Sequence, residues 1–270
     1  VKLDSLGVTD QMRSGRCWMF AALNVFRHRA AKELNIDDFE FSFTYLQYFD
    51  KLERANFALN QLLDLTEDGT DWDDRDVATS LELTGDDGGW WSFFTNLVDK
   101  YGAVPAEVMP EVHSSGHTDQ MNRDIATIIR RAAHRAVEGE GDRGGIIKQA
   151  RTDIQRVLAI HLGTPPTDFE WEWQDKDKNF TRAGRMTPLE FAEKYITVEL
   201  DDYVCVVNDP RPTSEYGKTY TVDRLGNVVG GTPVTYLNAP IDVLKTAVKE
   251  TIVDGLSLIH ISEPTRLRRI

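Results

Sequence analysis

Cys17 stands where a thiol could act as a nucleophile. It opens the run Cys17-Trp18-Met19-Phe20-Ala21-Ala22-Leu23-Asn24, continued by Val25 and Phe26, which is apolar almost all the way round. Such a run predicts a helix sunk inside a domain rather than lying on it. A thiol in its first turn feels the positive end of the helix dipole, which favours the thiolate. Gln11, six residues upstream, could donate its side-chain amide to an oxyanion next to that sulfur. Ser14 and Gly15 supply the entry, serine as a cap for free N–H groups and glycine as the bend. A second stretch, Gly85-Asp86-Asp87-Gly88-Gly89-Trp90-Trp91, leaves bare backbone at Gly88 and Gly89 that another extended chain can approach closely. Each feature has a plain reading when taken alone. A lone cysteine packs as a small hydrophobe, and Gly-Gly before a helix near Trp90 is a turn.

Taken together, Gln11, Ser14-Gly15-Arg16-Cys17-Trp18 and Phe20-Ala21-Ala22-Leu23-Asn24 resemble the bleomycin hydrolase and bacterial aminopeptidase C branch of the papain-like cysteine peptidases. Secreted papain relatives carry a cysteine where this chain has Ser14, and its loss removes a disulfide partner, which suits a reducing compartment. The resemblance continues in Asp87-Gly88-Gly89-Trp90, Tyr101-Gly102-Ala103-Val104-Pro105, Val207-Asn208-Asp209-Pro210-Arg211-Pro212, Tyr216-Gly217-Lys218, Gly226-Asn227-Val228 and Tyr236-Leu237-Asn238. It implies an α+β papain-like fold in which Cys17 attacks the scissile carbonyl and forms an acyl-enzyme. It further implies that Gln11 and the Cys17 N–H hold the oxyanion, while Gly88 and Gly89 hydrogen-bond the substrate backbone as a short antiparallel strand. Trp18, beside the nucleophile, is a third candidate substrate contact. Peptide substrates cleaved from the N-terminus, some breadth toward other amides, a hexameric assembly and a cytoplasmic setting follow from the same resemblance. It calls for no cofactor.

In papain-like order the base, a histidine, and the asparagine that orients it come later in the chain. Asn208 precedes Asp209-Pro210 and reads as a turn former rather than as that asparagine. The resemblance stops after Asp254-Gly255. Residues 256–270 carry Arg266, Arg268 and Arg269 against Glu263 and read as an off-pattern tail, a non-native read-through, with His260 in surroundings that do not match a catalytic histidine. The expectation is therefore a partial peptidase, 1–255, lacking its His and Asn and inactive by itself. The alternative is a non-catalytic oligomeric subunit or scaffold.

Composition bounds the other classes. The 270 residues are 41% hydrophobic and 28% charged, enough for a real core. A net charge of −13 repels a phosphate backbone, so nucleic acid is not an expected partner. Cys17 and Cys205 are too far apart in sequence to suggest a disulfide framework, and Cys205, in Asp202-Tyr203-Val204-Cys205-Val206-Val207, reads as core in a buried strand. No apolar run approaches the ~20 residues of a membrane span. No signal peptide precedes Val1, and the absence of an initiator Met predicts that N-terminal sequence is missing.

The elements around these residues are legible in outline. Asn35-Ile36-Asp37-Asp38 breaks the Cys17 helix, and Ser42 or Thr44 starts a second one running through residue 65. Residues 67–76 read as an acidic, solvated loop. His113 and His117 have the spacing of a metal pair on a helix, but Gly116 and the Ser pair argue for a loop, and no third ligand stands out. Two helices, 121–137 and 146–162, form an insertion at about 120–165 with a basic face at Arg130, Arg131, His134 and Arg135. Phe169–Trp173 alternates as a strand, Thr187-Pro188 caps a helix, and residues 166–255 begin a β-rich part.

Overall fold

The computed structural model describes residues 6–67, 71–83, 85–196, 200 and 203–253. The helix-rich part runs α1 (Cys17–Leu34), α2 (Phe43–Glu67), α3 (Arg75–Leu83), α4 (Trp91–Tyr101), α5 (His113–Gly116), α6 (Asp119–Val137) and α7 (Arg143–Leu162). A hairpin of β1 (Phe169–Gln174) and β2 (Phe180–Met186) follows, then α8 (Pro188–Tyr195). Three short strands and a helix end the described chain: β3 (Cys205–Val207), β4 (Thr219–Thr221), β5 (Thr235–Asn238) and α9 (Ile241–Val253). β1 and β2 pair antiparallel, while β5 lies between β3, which it meets in parallel, and β4, which it meets antiparallel. The α+β expectation thus takes the form of a helical body with two small sheets.

The centre of that body is α2 rather than α1. From Phe43 to Ala55 every residue but Phe49 is buried, and α1, α3, α4, α6 and α7 all pack on it. A helix buried on all sides must carry mostly apolar residues, yet α2 also buries Gln47, Asp50, Lys51, Glu53 and Arg54. α1 meets the expectation of a sunken helix: Met19, Phe20, Ala22, Leu23, Phe26, Ala30, Ala31 and Leu34 are all buried. It stops at Asn35, which takes the left-handed conformation at φ 53°, a conformation open to Asn at little cost.

Local signals explain most boundaries. Ser42 Oγ accepts the Tyr45 N–H at 3.0 Å at the start of α2. Thr187 and Glu190 form a reciprocal capping box at α8, with Pro188 at its first position. Asp142 takes the Gly145 N–H at 2.9 Å, which starts α7 three residues earlier than the pattern suggested. β1 keeps the alternation of buried Phe169 and Trp171 with exposed Glu170 and Glu172.

Four expectations are corrected. The acidic loop ends sooner, because α3 begins at Arg75 and buries Val77. Residues 113–116 form a helical turn instead of a loop, closed by the Ser115 hydroxyl accepting the Val112 N–H at 3.0 Å. Cys205 is half-buried at the first residue of an edge strand rather than deep in the core, because β3 has a neighbour on one side only. Ser14 does not cap α1, whose N-cap is Arg16 without any side-chain cap. The expectations for residues 254–270, His260 included, lie outside the described residues.

Gly102 closes α4 at φ +73°, and a Cβ there would lie 2.1 Å from the Pro188 carbonyl oxygen. Gly139 has the same backbone sign, φ +72°, with nothing within 4 Å. Gly102→Ala should therefore cost about 2–3 kcal/mol and Gly139→Ala about 1. Urea denaturation of both variants checks this, and equal losses would show that the Gly102–Pro188 approach imposes no steric limit.

Candidate functional site

The loop before α1 is held by a chain of side-chain bonds. Gln11 Nε2 donates to the Ser14 carbonyl at 2.8 Å, and the Ser14 hydroxyl returns a bond to the Gln11 carbonyl at 2.6 Å. Arg16 Nε donates to that same hydroxyl at 2.9 Å. The Arg16 guanidinium, 2% exposed, then forms a two-pronged pair with Glu111 at 2.9 and 2.8 Å and lies over the Phe20 ring at 5.0 Å. Burial pushes the Glu111 carboxyl up, but bonds and charge from Arg16, together with the Ser115 and Thr44 hydroxyls, outweigh it and hold the carboxyl below its ordinary value. Gln11 is half-buried with one of its two amide hydrogens engaged, which leaves the second for an incoming oxygen.

Cys17 occupies the first position of α1, half-buried, with Sγ 3.8 Å from the Gly15 carbonyl oxygen. Trp18 beside it turns its indole N–H onto the Asp87 carbonyl at 2.8 Å. A Cβ on Gly89 would lie 2.4 Å from Trp18 Cε2, so only glycine lets this backbone cross the indole. A Cβ on Gly15 would likewise lie 2.7 Å from Asp87 Cβ and 3.4 Å from the Gly88 nitrogen. The fold thus brings the Cys17 loop and the Gly88-Gly89 segment into contact, as a site with a nucleophile beside a backbone-binding edge requires. Gly88 itself is engaged within the protein. Its N–H goes to Asp86 Oδ1 at 3.1 Å and its carbonyl accepts from Arg54 at 2.6 Å.

Reasoning from the sequence missed the charged groups beneath these loops. Asp87 accepts from the Lys51 ammonium, the Thr118 hydroxyl at 2.5 Å, the Asn122 amide at 3.0 Å and the Gly15 N–H at 3.2 Å. Burial acts to raise its pKa, but the Lys51 charge and these donors hold it well below the usual carboxylate range. Burial pulls Lys51 downward against the opposing pull of Asp87. Four donors on one carboxylate require an ionised Asp87, and we read the pair as charged at neutral pH. The available signal was a set of charged residues inside an otherwise apolar α2 pattern.

Of the other candidates, His117 lies against the Cys17 loop, its backbone bridged to Arg13. His113 and His117 stack at 4.3 Å, and no cluster of three or more His, Cys, Asp or Glu residues able to hold a metal occurs among the described residues. Asn208 serves a turn, donating to the Tyr216 hydroxyl at 3.1 Å and the Ala239 carbonyl at 2.9 Å. Cys205 has its thiol pKa pushed up by burial. No described helix is long and apolar enough to cross a membrane.

A mixed helix and strand body whose entry loop delivers a cysteine to the start of a buried helix defines a class, the papain-like cysteine peptidases, and the solved structures agree. A crystal structure of PepW from Lactobacillus rhamnosis superposes with a TM-score of 0.89 at 37% identity, covering 94% of this chain and 58% of that one. The chain belongs to the Peptidase C1-like family, whose profile matches residues 1–264. Among curated relatives it is 41% identical over 257 residues to bleomycin hydrolase from Rattus norvegicus and 38% identical over 251 to aminopeptidase C from Listeria monocytogenes. Each match covers 92% of this chain and 56% of the relative, so the chain spans a little over half of their length.

Because the folded Asp87 pKa lies below its ordinary 3.8, its contribution to stability is complete above that value and is lost as pH falls through the folded pKa. Asp87→Asn should be about 3 kcal/mol less stable than wild type at pH 7. The gap should narrow progressively below pH 3.8, as read by urea denaturation at pH 7, 5 and 3. A constant gap would show that the Asp87 charge contributes nothing.

Proposed function

We propose that this chain is the nucleophile-bearing part of an aminopeptidase C/bleomycin hydrolase-like cysteine peptidase, with Cys17 as the attacking group. One observation carries the reading: Cys17 opens a buried helix, and the loop that leads into it from Gln11 packs through Gly15 against the Asp87-Gly88 segment. Cys17 Sγ attacks a peptide carbonyl carbon and the amine leaves protonated, giving a thioester that water then hydrolyses to the acid and the restored thiol. The second Gln11 amide hydrogen and the Cys17 N–H would take the oxyanion, where one lost donor costs about 3 kcal/mol. Of the two glycines, Gly89 suits the substrate backbone better, because both backbone groups of Gly88 already have partners. Trp18 forms the floor beneath Gly89.

In this reading the base that deprotonates Cys17 and the asparagine that orients it belong to the share of the relatives' length that the chain does not span, so that the chain alone turns over poorly. Release of N-terminal residues, a hexameric assembly and a cytoplasmic setting rest on the resemblance to the same relatives.

The test joins this sequence to the part of a curated relative that it does not cover and measures hydrolysis of an aminoacyl coumarin amide. Cys17→Ala should lower kcat/KM by at least about 10³-fold and Gln11→Ala by about 10²-fold. N-acetylation of the substrate should abolish turnover if cleavage starts from the N-terminus. Full activity in Cys17→Ala would overturn the assignment, and an inactive joined chain with Cys17 intact would favour the scaffold.

A further inference from the structure

Asp87 joins more of the site than any other side chain. Its Oδ2 accepts the backbone N–H of Gly15 at 3.2 Å, two residues before Cys17, and the hydroxyl of Thr118, which is 1% exposed, at 2.5 Å. Its Oδ1 takes the Lys51 ammonium and the Asn122 amide. The segment around it is fastened at three successive carbonyls. Lys51 Nζ donates to Asp86 O at 2.8 Å, the Trp18 indole to Asp87 O at 2.8 Å, and Arg54 to Gly88 O at 2.6 Å. Arg54 is itself clamped by Asp50 at 2.9 and 3.0 Å and lies over the Phe93 ring at 5.1 Å. Both Lys51 and Arg54 are buried on α2.

A purely stabilising role does not require this geometry. A buried ion pair can be replaced by apolar side chains with little loss of stability, whereas a charge-assisted bond to one named backbone N–H fixes a distance. The Gly15 N–H lies on the Cys17 loop and Asp87 is the residue before Gly88, so the bond sets the separation of nucleophile and backbone-binding edge.

We propose that Asp87 is a positioning residue that holds Cys17 in register with the Gly88-Gly89 edge, so that it governs reaction with extended peptide backbones and not the reactivity of the thiol itself. This rests on the reading of Cys17 as the nucleophile. Small electrophiles need only the thiol. A peptide must pair its backbone and present its carbonyl carbon to sulfur at once, and a misplacement of about 1 Å can cost about 10²-fold.

The experiment uses the chain as it stands and two alkylating probes, with modification of Cys17 followed by mass spectrometry. Iodoacetamide reports the thiol, and a dipeptidyl chloromethyl ketone with a free α-amine reports the thiol together with the edge. In folded Asp87→Asn the peptidyl rate should fall about 10- to 100-fold, while the iodoacetamide rate stays within about threefold. Asp87→Asn strands Lys51 in the interior, so circular dichroism accompanies it. If that variant does not fold, Thr118→Val decides, because it removes one donor from the same oxygen and leaves the ion pair intact; its ratio of peptidyl to iodoacetamide rates should fall about three- to tenfold. A folded variant whose two rates fall in parallel, or whose ratio equals that of wild type, overturns the proposal and leaves the nucleophile assignment standing. A wild-type ratio no higher than that of Cys17 in the urea-denatured chain overturns both readings.

Discussion

One ionised carboxylate, buried under two loops and loaded with four donors, is what the rest of this site depends on. Loops cannot be fixed by apolar packing alone, because each residue brings a backbone donor and acceptor that must find partners when water is excluded. Here the partners come from below. α2 buries Lys51 and Arg54 against Asp87, Asp50 and the carbonyls of 86 and 88, and a second set, Arg16 with Glu111, Gln47, Thr44 and Ser115, performs the same task for the residue before Cys17. Desolvating so many charges is costly, and their mutual attraction returns much of that cost only because the geometry is closely matched. What the arrangement supplies beyond stability is position.

The apolar core makes that position rigid. α1 rests on α2, α4 and α8, and its rings interlock with theirs. Phe20 stacks on Phe43 at 3.6 Å, Phe26 on Phe94 at 5.9 Å, and Trp18 meets Phe93 edge-on at 6.3 Å. A helix anchored on three sides cannot slide without breaking several aromatic contacts, so the sulfur at its first residue has a fixed origin. α9 buries none of its residues, and Ile241, Val243, Val248, Ile252 and Val253 are exposed on it.

How much of this was legible depends on the range of the signal. The Cys17 helix, α6, α7, the Trp171 strand and the Thr187-Pro188 cap were readable because period and capping are local. α3 is hard to read in the sequence because Asp71, Asp73, Asp74 and Asp76 dominate the stretch and conceal a buried anchor, Val77. The turn at His113 reads as a loop in the sequence because Gly116 and two serines argue against helix, and the bond from Val112 N–H to Ser115 that closes it depends on tertiary burial. The same split runs through the site. Cys17, Gln11, Gly88 and Gly89 are candidates through the motifs they share with the resembled family, whereas the bonds that Arg16, Lys51, Asp87 and Glu111 make have no counterpart in the sequence pattern. Glu111 lies 95 residues from its partner Arg16, and a pairing at such range has no signature in either segment.

The most direct test of the central claim is to trap the acyl group. The chain would be mixed with an aminoacyl p-nitrophenyl ester, quenched in acid and mapped by mass spectrometry. Cys17 and Cys205 are both half-buried, which makes the second an internal control for simple accessibility. The account predicts a single thioester on Cys17 and none on Cys205, whose thiol is held protonated by burial. Acylation of Cys205 equal to or greater than that of Cys17 would contradict it.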